Sequence, residues 1–141
     1  NGENITGFIR QEAVGNMASA TSVYPVVREK LVELQRQLAA RENVVMDGRD
    51  IGTVVLPDAN VKIFLTASSK VRAKRRFDEL IAKGEKCDID AIEKDIIERD
   101  HRDMTRETSP LKQADDAVLL DSSDMTIDEV VDRMKQLVKE A

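Results

Sequence analysis

The spacing of apolar positions changes several times along the chain, and each change predicts an element. From Phe8 to Met17 the pattern is mixed. Pro25 followed by Val26, Val27, Leu31, Val32, Leu34, Leu38 and Ala39 recurs at three and four residues. That spacing predicts a helix with one buried stripe, running to about Ala40. Asn43-Val44-Val45-Met46-Asp47 is too short for a helix, rich in Val and closed by turn residues, which predicts a buried strand. Gly48 and Gly52 bracket the loop that follows. After Pro57-Asp58, the run from Val61 to Thr66 predicts a second strand, and Ser68 caps a helix reaching about Lys83, where Gly84 ends it.

Asp88 or Asp90 opens a further helix, with Ile89, Ile92, Ile96 and Ile97 on its apolar face and a charged second half reaching Arg106. Ser109-Pro110 stops it. Ala117 to Asp121 predicts a third short strand. Thr126 and Glu129 then form a capping box ahead of a last helix carrying Ile127, Val130, Val131, Met134, Leu137 and Val138 in register. Strands alternating with helices predict an α/β fold, a parallel sheet with helices covering both faces. Three strands make a thin sheet, since about four to six is usual.

Composition narrows the classes of function. The chain has 141 residues, 41% hydrophobic and 35% charged with no Trp, which suits a single helix-rich domain with an aliphatic core. A formal charge of -5 argues against a wide basic surface for nucleic acid, whereas a small anion held by a local arginine cluster remains compatible. With one Cys (Cys87) and one His (His101), no internal disulfide and no four-ligand zinc site of these residue types can form, and a reducing cytoplasm is the natural setting. No apolar run approaches the ~20 residues that cross a bilayer, and no charged-then-apolar leader opens the sequence, so neither membrane insertion nor export is predicted. The start at Asn1-Gly2-Glu3-Asn4 carries no Met, and a piece of a longer chain is expected.

Ligands of open parallel sheets bind beyond the carboxyl ends of the strands, so the loop Asp47-Gly48-Arg49-Asp50-Ile51-Gly52 comes first. An apolar strand ending in Asp47 resembles one that sets a carboxylate near magnesium, a hard cation that prefers oxygen ligands. An Asp-Gly turn with two solvated charges is the plainer alternative. Arg99, Asp103 and Arg106 lie four and three residues apart, on one helical face, with Arg102 beside them. They form either surface ion pairs or a cradle in which Arg forks match phosphate oxygens and Asp accepts from hydroxyls. Arg72, Arg75 and Arg76, with Glu79 in reach, form either a solvated face or a nucleotide contact. Spacing alone assigns nothing to Ser19 and Arg28. His101 reads as a surface residue and Cys87 as incidental.

Taken together, the segment Asp47 to Val55, Pro57-Asp58-Ala59 leading into Val61 to Leu65, and Arg99-Asp100-x-x-Asp103-x-x-Arg106 ahead of Ser109-Pro110-Leu111 resemble the bacterial cytidylate kinases. The resemblance extends to Gly15-Asn16 through Ser19 and to Tyr24-Pro25-Val26-Val27-Arg28. It implies a nucleoside-monophosphate-kinase fold and transfer of the ATP γ-phosphoryl group to CMP or dCMP, with ATP as co-substrate and Mg2+. By the same resemblance, Ser19, Arg28 and Asp50 read the cytosine, Asp103 and Arg99 hold the ribose, and Arg49, Arg99 and Arg106 bind phosphates. Arg72 and Arg76 fall to the ATP side, Asp47 to the metal. A carboxylate at the base suits cytosine, because it accepts from the exocyclic amine but would face a carbonyl in uracil.

One departure from the family pattern changes the expectation. The family's first strand and its Gly-rich loop ending in Gly-Lys-Ser/Thr wrap the donor phosphates, and none of the six glycines here is followed directly by Lys. The sequence therefore predicts one incomplete kinase domain over 1–141 that lacks the first strand and the P-loop. Its parts are monophosphate-side helices at 1–42, core strands and a helix at 43–84, a lid region at 85–112, and a last strand and helix at 113–141. The absent strand would lie between the strands at 44–47 and 61–66, so a missing N-terminal segment of the same protein is the expected partner. The alternatives are a kinase for another nucleoside monophosphate, or a non-catalytic nucleotide-binding or interaction module.

Overall fold

Proline at a first helical position has its φ preset and no N–H to satisfy, and Pro25 opens a helix in this way. The computed structural model describes residues 2–9, 11–22 and 24–141, apart from the side chains of Glu12, Asn16 and Ser19. It divides into two compact units, Asn1–Val45 and Met46–Ala141. The first holds α1 (Glu12–Thr21) and α2 (Pro25–Ala39). Helix α1 forms where the sequence pattern is mixed. It closes with the Thr21 hydroxyl donating to the Met17 carbonyl at 2.9 Å. Helix α2 has the predicted bounds, but Leu31, Leu34 and Leu38 of its apolar stripe stay half exposed. A unit of two helices has too little chain to cover such a stripe.

The second unit runs through a short π-helical turn (Ile51–Val55), β1 (Ile63–Thr66), α3 (Ser69–Ala82), α4 (Ile89–Thr105), β2 (Val118–Asp121) and α5 (Ile127–Glu140). The sheet pairs β1 with β2 in parallel, from Ile63 opposite Val118 to Thr66 opposite Asp121. Ser68 caps α3 by accepting from the Val71 N–H, and Asp88 caps α4 by accepting from those of Asp90 and Ala91. Gly84 follows α3 with φ +79°, a left-handed conformation that glycine adopts without steric cost. Helices α3 and α4 pack together. Among the described residues the buried apolar ones are Val55, Ala67, Ala73, Leu120 and Leu137, drawn from five separate stretches.

The α/β class and the parallel pairing are as predicted, while the sheet is smaller. Val44 to Asp47 forms no strand, and Val45 is fully exposed. A strand exists through the ladder it makes, and among the described residues no neighbouring strand offers one to this segment. The loop from Gly48 to Gly52 runs into the π-turn, in which Leu56 N–H reaches the Ile51 carbonyl at 2.7 Å.

Helix α5 carries the capping box intact. Thr126 N–H donates to Glu129 Oε2 at 2.8 Å, as does its hydroxyl, and Glu129 N–H donates to Thr126 Oγ1 at 3.3 Å. The backbone bond first, and the hydroxyl second, hold the Glu129 carboxyl below its ordinary pKa of 4.5. A carboxyl depressed in the folded state stabilises α5 above its unfolded pKa, and that contribution disappears as pH falls through the lower, folded value. The protection factors of amides in the first turn of α5, taken relative to intrinsic exchange at each pH, are expected to fall on acidification below 4.5, and Glu129→Gln is expected to remove that dependence. Thr126→Ala is expected to cost about 1 kcal/mol of protection at neutral pH.

Leu65, Val118 and Leu119 of the two strands are about half exposed, and among the described residues neither strand has a second pairing partner. Exposed apolar strand edges template pairing with another chain. The chain is expected to self-associate with rising concentration in sedimentation velocity, and Leu119→Lys to shift it towards monomer. A wild-type chain that stays monomeric and unfolds in one sharp transition would contradict this.

Candidate functional site

Three arginines converge on one carboxylate in the second unit. Arg49, in the loop ahead of the π-turn, donates from Nε to Asp103 Oδ2 at 2.9 Å across 54 residues of sequence. Arg99, one turn before Asp103 on α4, and Arg106, just past the end of that helix, bring Nε and Nη1 to 4.0 and 3.9 Å from its oxygens. The last two distances are ion pairs without hydrogen bonds. The Asp103 side chain is only 14% exposed and that of Arg106 25%, whereas Arg49 and Arg99 lie open at 42% and 60%. Within this group of four side chains, three cations face one anion, in a chain whose net charge is -5.

The chain beyond α4 folds back to hold this cluster. Arg106 leaves helical geometry with ψ 142°, and its Nε donates to the Ser109 carbonyl at 2.8 Å. Ser109 sits in the left-handed region at φ 50°, and Leu111 N–H returns to the Asp103 carbonyl at 2.8 Å. Arg106 Nη2 is buried, and among the described residues no acceptor reaches it. A buried guanidinium N–H without a partner costs about 1–3 kcal/mol or more, which an anionic oxygen arriving at that atom would recover. Exposed ion pairs are worth only about 0–1 kcal/mol. The pairs of the open Arg49 and Arg99 side chains therefore add little stability, and the cluster offers more N–H donors than its one carboxylate takes up.

Asp50, directly after Arg49, is buried at 8% exposure. The π-turn fixes its backbone: the Asp50 carbonyl accepts from Val54 and Val55 N–H at 2.8 and 3.2 Å and from Thr53 Oγ1 at 3.4 Å. Val55, 2% exposed, anchors the far end of the turn. Single π-turns are uncommon and concentrate at functional sites. One loop therefore presents an exposed guanidinium and a buried carboxylate side by side.

The remaining predicted residues fall elsewhere. Asp47 is exposed, and no group of three or more His, Cys, Asp or Glu suited to a metal exists among the described residues. Magnesium keeps several waters and takes one or two protein carboxylates besides phosphate oxygens, so one open Asp47 fits that donor set. Arg28, in the first unit, donates from Nη1 to the Ser22 carbonyl at 3.4 Å. Ser19 lies in α1, and its side chain falls outside the described residues. Arg72 and Arg76, expected on the ATP side, are engaged by protein carboxylates. Arg76 pairs with Glu79 at 2.9 Å. Arg72 forks onto Asp100 from α3 to α4, Nη1 to Oδ1 at 3.0 Å and Nη2 to Oδ2 at 2.5 Å, with Nε on the Ala67 carbonyl at 3.0 Å. These hydrogen bonds with Asp100 raise the Arg72 pKa, while partial burial opposes the rise.

Two residues already singled out have partners that the sequence did not signal. Asp100 is one acid among many in α4. Arg75, grouped by spacing with Glu79, instead donates to the Ser122 and Met125 carbonyls at 2.6 and 3.3 Å and so ties α3 to the end of β2. Cys87 is a free thiol at partial exposure, and His101 is exposed.

The cytidylate kinase family model matches residues 1–140. A cytidylate kinase of Streptococcus pneumoniae (strain Hungary19A-6) is 54% identical over 132 residues, 94% of this chain and 59% of the relative. Those of serotype 19F (strain G54) and of strain ATCC 700669 / Spain 23F-1 match to the same extent. The chain spans about three fifths of the length of these relatives. With the family model matching residues 1–140 and relatives 54% identical over 94% of its length, the chain belongs to the cytidylate kinase family.

Proposed function

We propose that this chain supplies the CMP site and the arginine cradle of an enzyme that transfers the ATP γ-phosphoryl group to CMP or dCMP, giving CDP or dCDP. The observation that carries the proposal is the convergence of Arg49, Arg99 and Arg106 on Asp103, with a buried Arg106 nitrogen left for an anion. Asp103 and Arg99 take the ribose hydroxyls, and the three guanidinium groups take phosphate oxygens. Arginines placed this way spread the charge of the transferring group, and positioning with electrostatic stabilisation is most of what phosphoryl transfer requires. Movement of α4 as a lid would complete the cradle and exclude water.

Asp50 is proposed to accept from the cytosine amine, where its burial sharpens discrimination. A buried acceptor facing a uracil carbonyl would stay unsatisfied. Ser19 and Arg28 are proposed as cytosine contacts on family resemblance alone. Asp47 is proposed to give one oxygen to Mg2+, which neutralises phosphate charge when bound. Because no glycine here is followed by Lys, the loop for the ATP phosphates is proposed to come from a further segment of the same protein, and this chain by itself to bind without turnover. Among the described residues no helix is long and apolar enough to cross a membrane, and with a free thiol at Cys87 the cytoplasm is the proposed setting.

Calorimetry of the chain with CMP, UMP and AMP tests the base assignment. CMP is expected to bind tightest and Asp50→Asn to erase the preference; equal binding of the three nucleotides would overturn it. Comparing CMP with cytidine tests the cradle. Arg106→Lys is expected to weaken CMP about tenfold while leaving cytidine unchanged, because a lysine gives up bidentate contact with phosphate.

A further inference from the structure

Helix α4 carries two sets of charged side chains on different faces. Glu93 and Asp100, seven residues apart, look towards α3, where Ser69 Oγ donates to Glu93 Oε1 at 2.8 Å and Arg72 forks onto Asp100. Arg99 and Asp103 point roughly a quarter turn away around the helix, at 100° per residue. Rotation of α4 about its own axis would carry Asp103 away from Arg49, and apolar packing resists a small rotation only weakly, because no residue of α4 is fully buried. A single Ser–Glu hydrogen bond tolerates such rotation. A planar two-bond fork does not, since both N–H···O contacts must stay aligned.

We propose that Arg72 and Asp100 are positioning residues that fix the rotational setting of α4, so that Asp103 meets Arg49 and the cradle forms. Arg72 suits this task because Nε, Nη1 and Nη2 are all engaged, and the Ala67 carbonyl ties the guanidinium to the end of β1. The chain of contacts runs from the sheet through Ala67 and Arg72 to Asp100, then along α4 to Asp103 and Arg49. Its functional consequence rests on the CMP reading above, whereas its structural core does not.

The test uses the 141-residue chain and two readouts. The first is the NMR signal of the Arg49 Nε–H, assigned by its disappearance in Arg49→Lys, which reports the bond to Asp103 without any ligand. The second is CMP affinity by calorimetry. Arg72→Lys and Asp100→Asn, checked for retained helicity by circular dichroism, are expected to abolish exchange protection of the Arg49 signal and to weaken CMP about tenfold. Neither is expected to weaken CMP further in an Asp103→Asn background, because the effect passes through Asp103. Ser69→Ala removes the neighbouring interhelical bond and is expected to preserve both readouts. Should the first two variants unfold, Asp100→Glu keeps the charge and shifts the fork by one methylene, and it is expected to move the Arg49 signal. An Arg49 signal unchanged in folded variants, or one lost equally in Ser69→Ala, would overturn the proposal. If wild-type chain binds no CMP, the functional reading fails while the Arg49 signal still decides the inference.

Discussion

Asp103 stands among three guanidinium groups and hydrogen-bonds only one of them, and the rest of the site follows from that imbalance. Arg49 has the short contact, while Arg99 and Arg106 remain near 4 Å. Each such pair contributes about 0–1 kcal/mol where water has access, so mutual attraction does not hold the three arginines together. Their like charges work against it. The geometry must come from the backbone and from contacts outside the cluster: the capped helix α4, the Ser109 turn that catches Arg106, and the Arg72 fork on the other face. A cluster held by its surroundings keeps its donors ordered without a ligand, so under the proposed function lid movement would close already ordered groups over the anion and less ordering would oppose binding.

The loop before the π-turn solves a different problem with the same economy of residues. Arg49 and Asp50 are adjacent, yet one reaches the open side of α4 and the other is buried. The chain bends over 48–50, with Asp50 at φ -134° and ψ 17°, and the π-turn then locks the Asp50 carbonyl with two N–H groups and one hydroxyl. A standard turn would accept once at that carbonyl.

Local rules read much of this fold correctly. Thr126 and Glu129 predicted a capping box, Ser68 and Gly84 bounded α3, and the Ile spacing marked α4, because each signal involves residues within a turn or two. The misses share a non-local origin. Val44 to Asp47 has the composition of a strand and no ladder to join, and α1 forms despite a mixed apolar pattern. In the site, the face shared by Arg99, Asp103 and Arg106 was legible from spacing, whereas the arrival of Arg49 from 54 residues away came only with the family resemblance. The pairing of Asp100 was hidden for the same reason, since its partner Arg72 lies 28 residues away in another helix.

Arginines of equal charge on neighbouring helices differ here in how many donors are already spoken for. A guanidinium has five N–H groups and no acceptor. Arg72 commits all three of its nitrogens to protein oxygens, and an arriving phosphate would have to displace a carboxylate held by two bonds. Arg106 commits Nε to a carbonyl, keeps Nη1 at ion-pair distance, and leaves Nη2 buried without an acceptor among the described residues. Saturation separates the two roles where charge and spacing do not. Under the two proposals a saturated fork transmits position, and an unsaturated one, already desolvated, is the place where an anion would gain most.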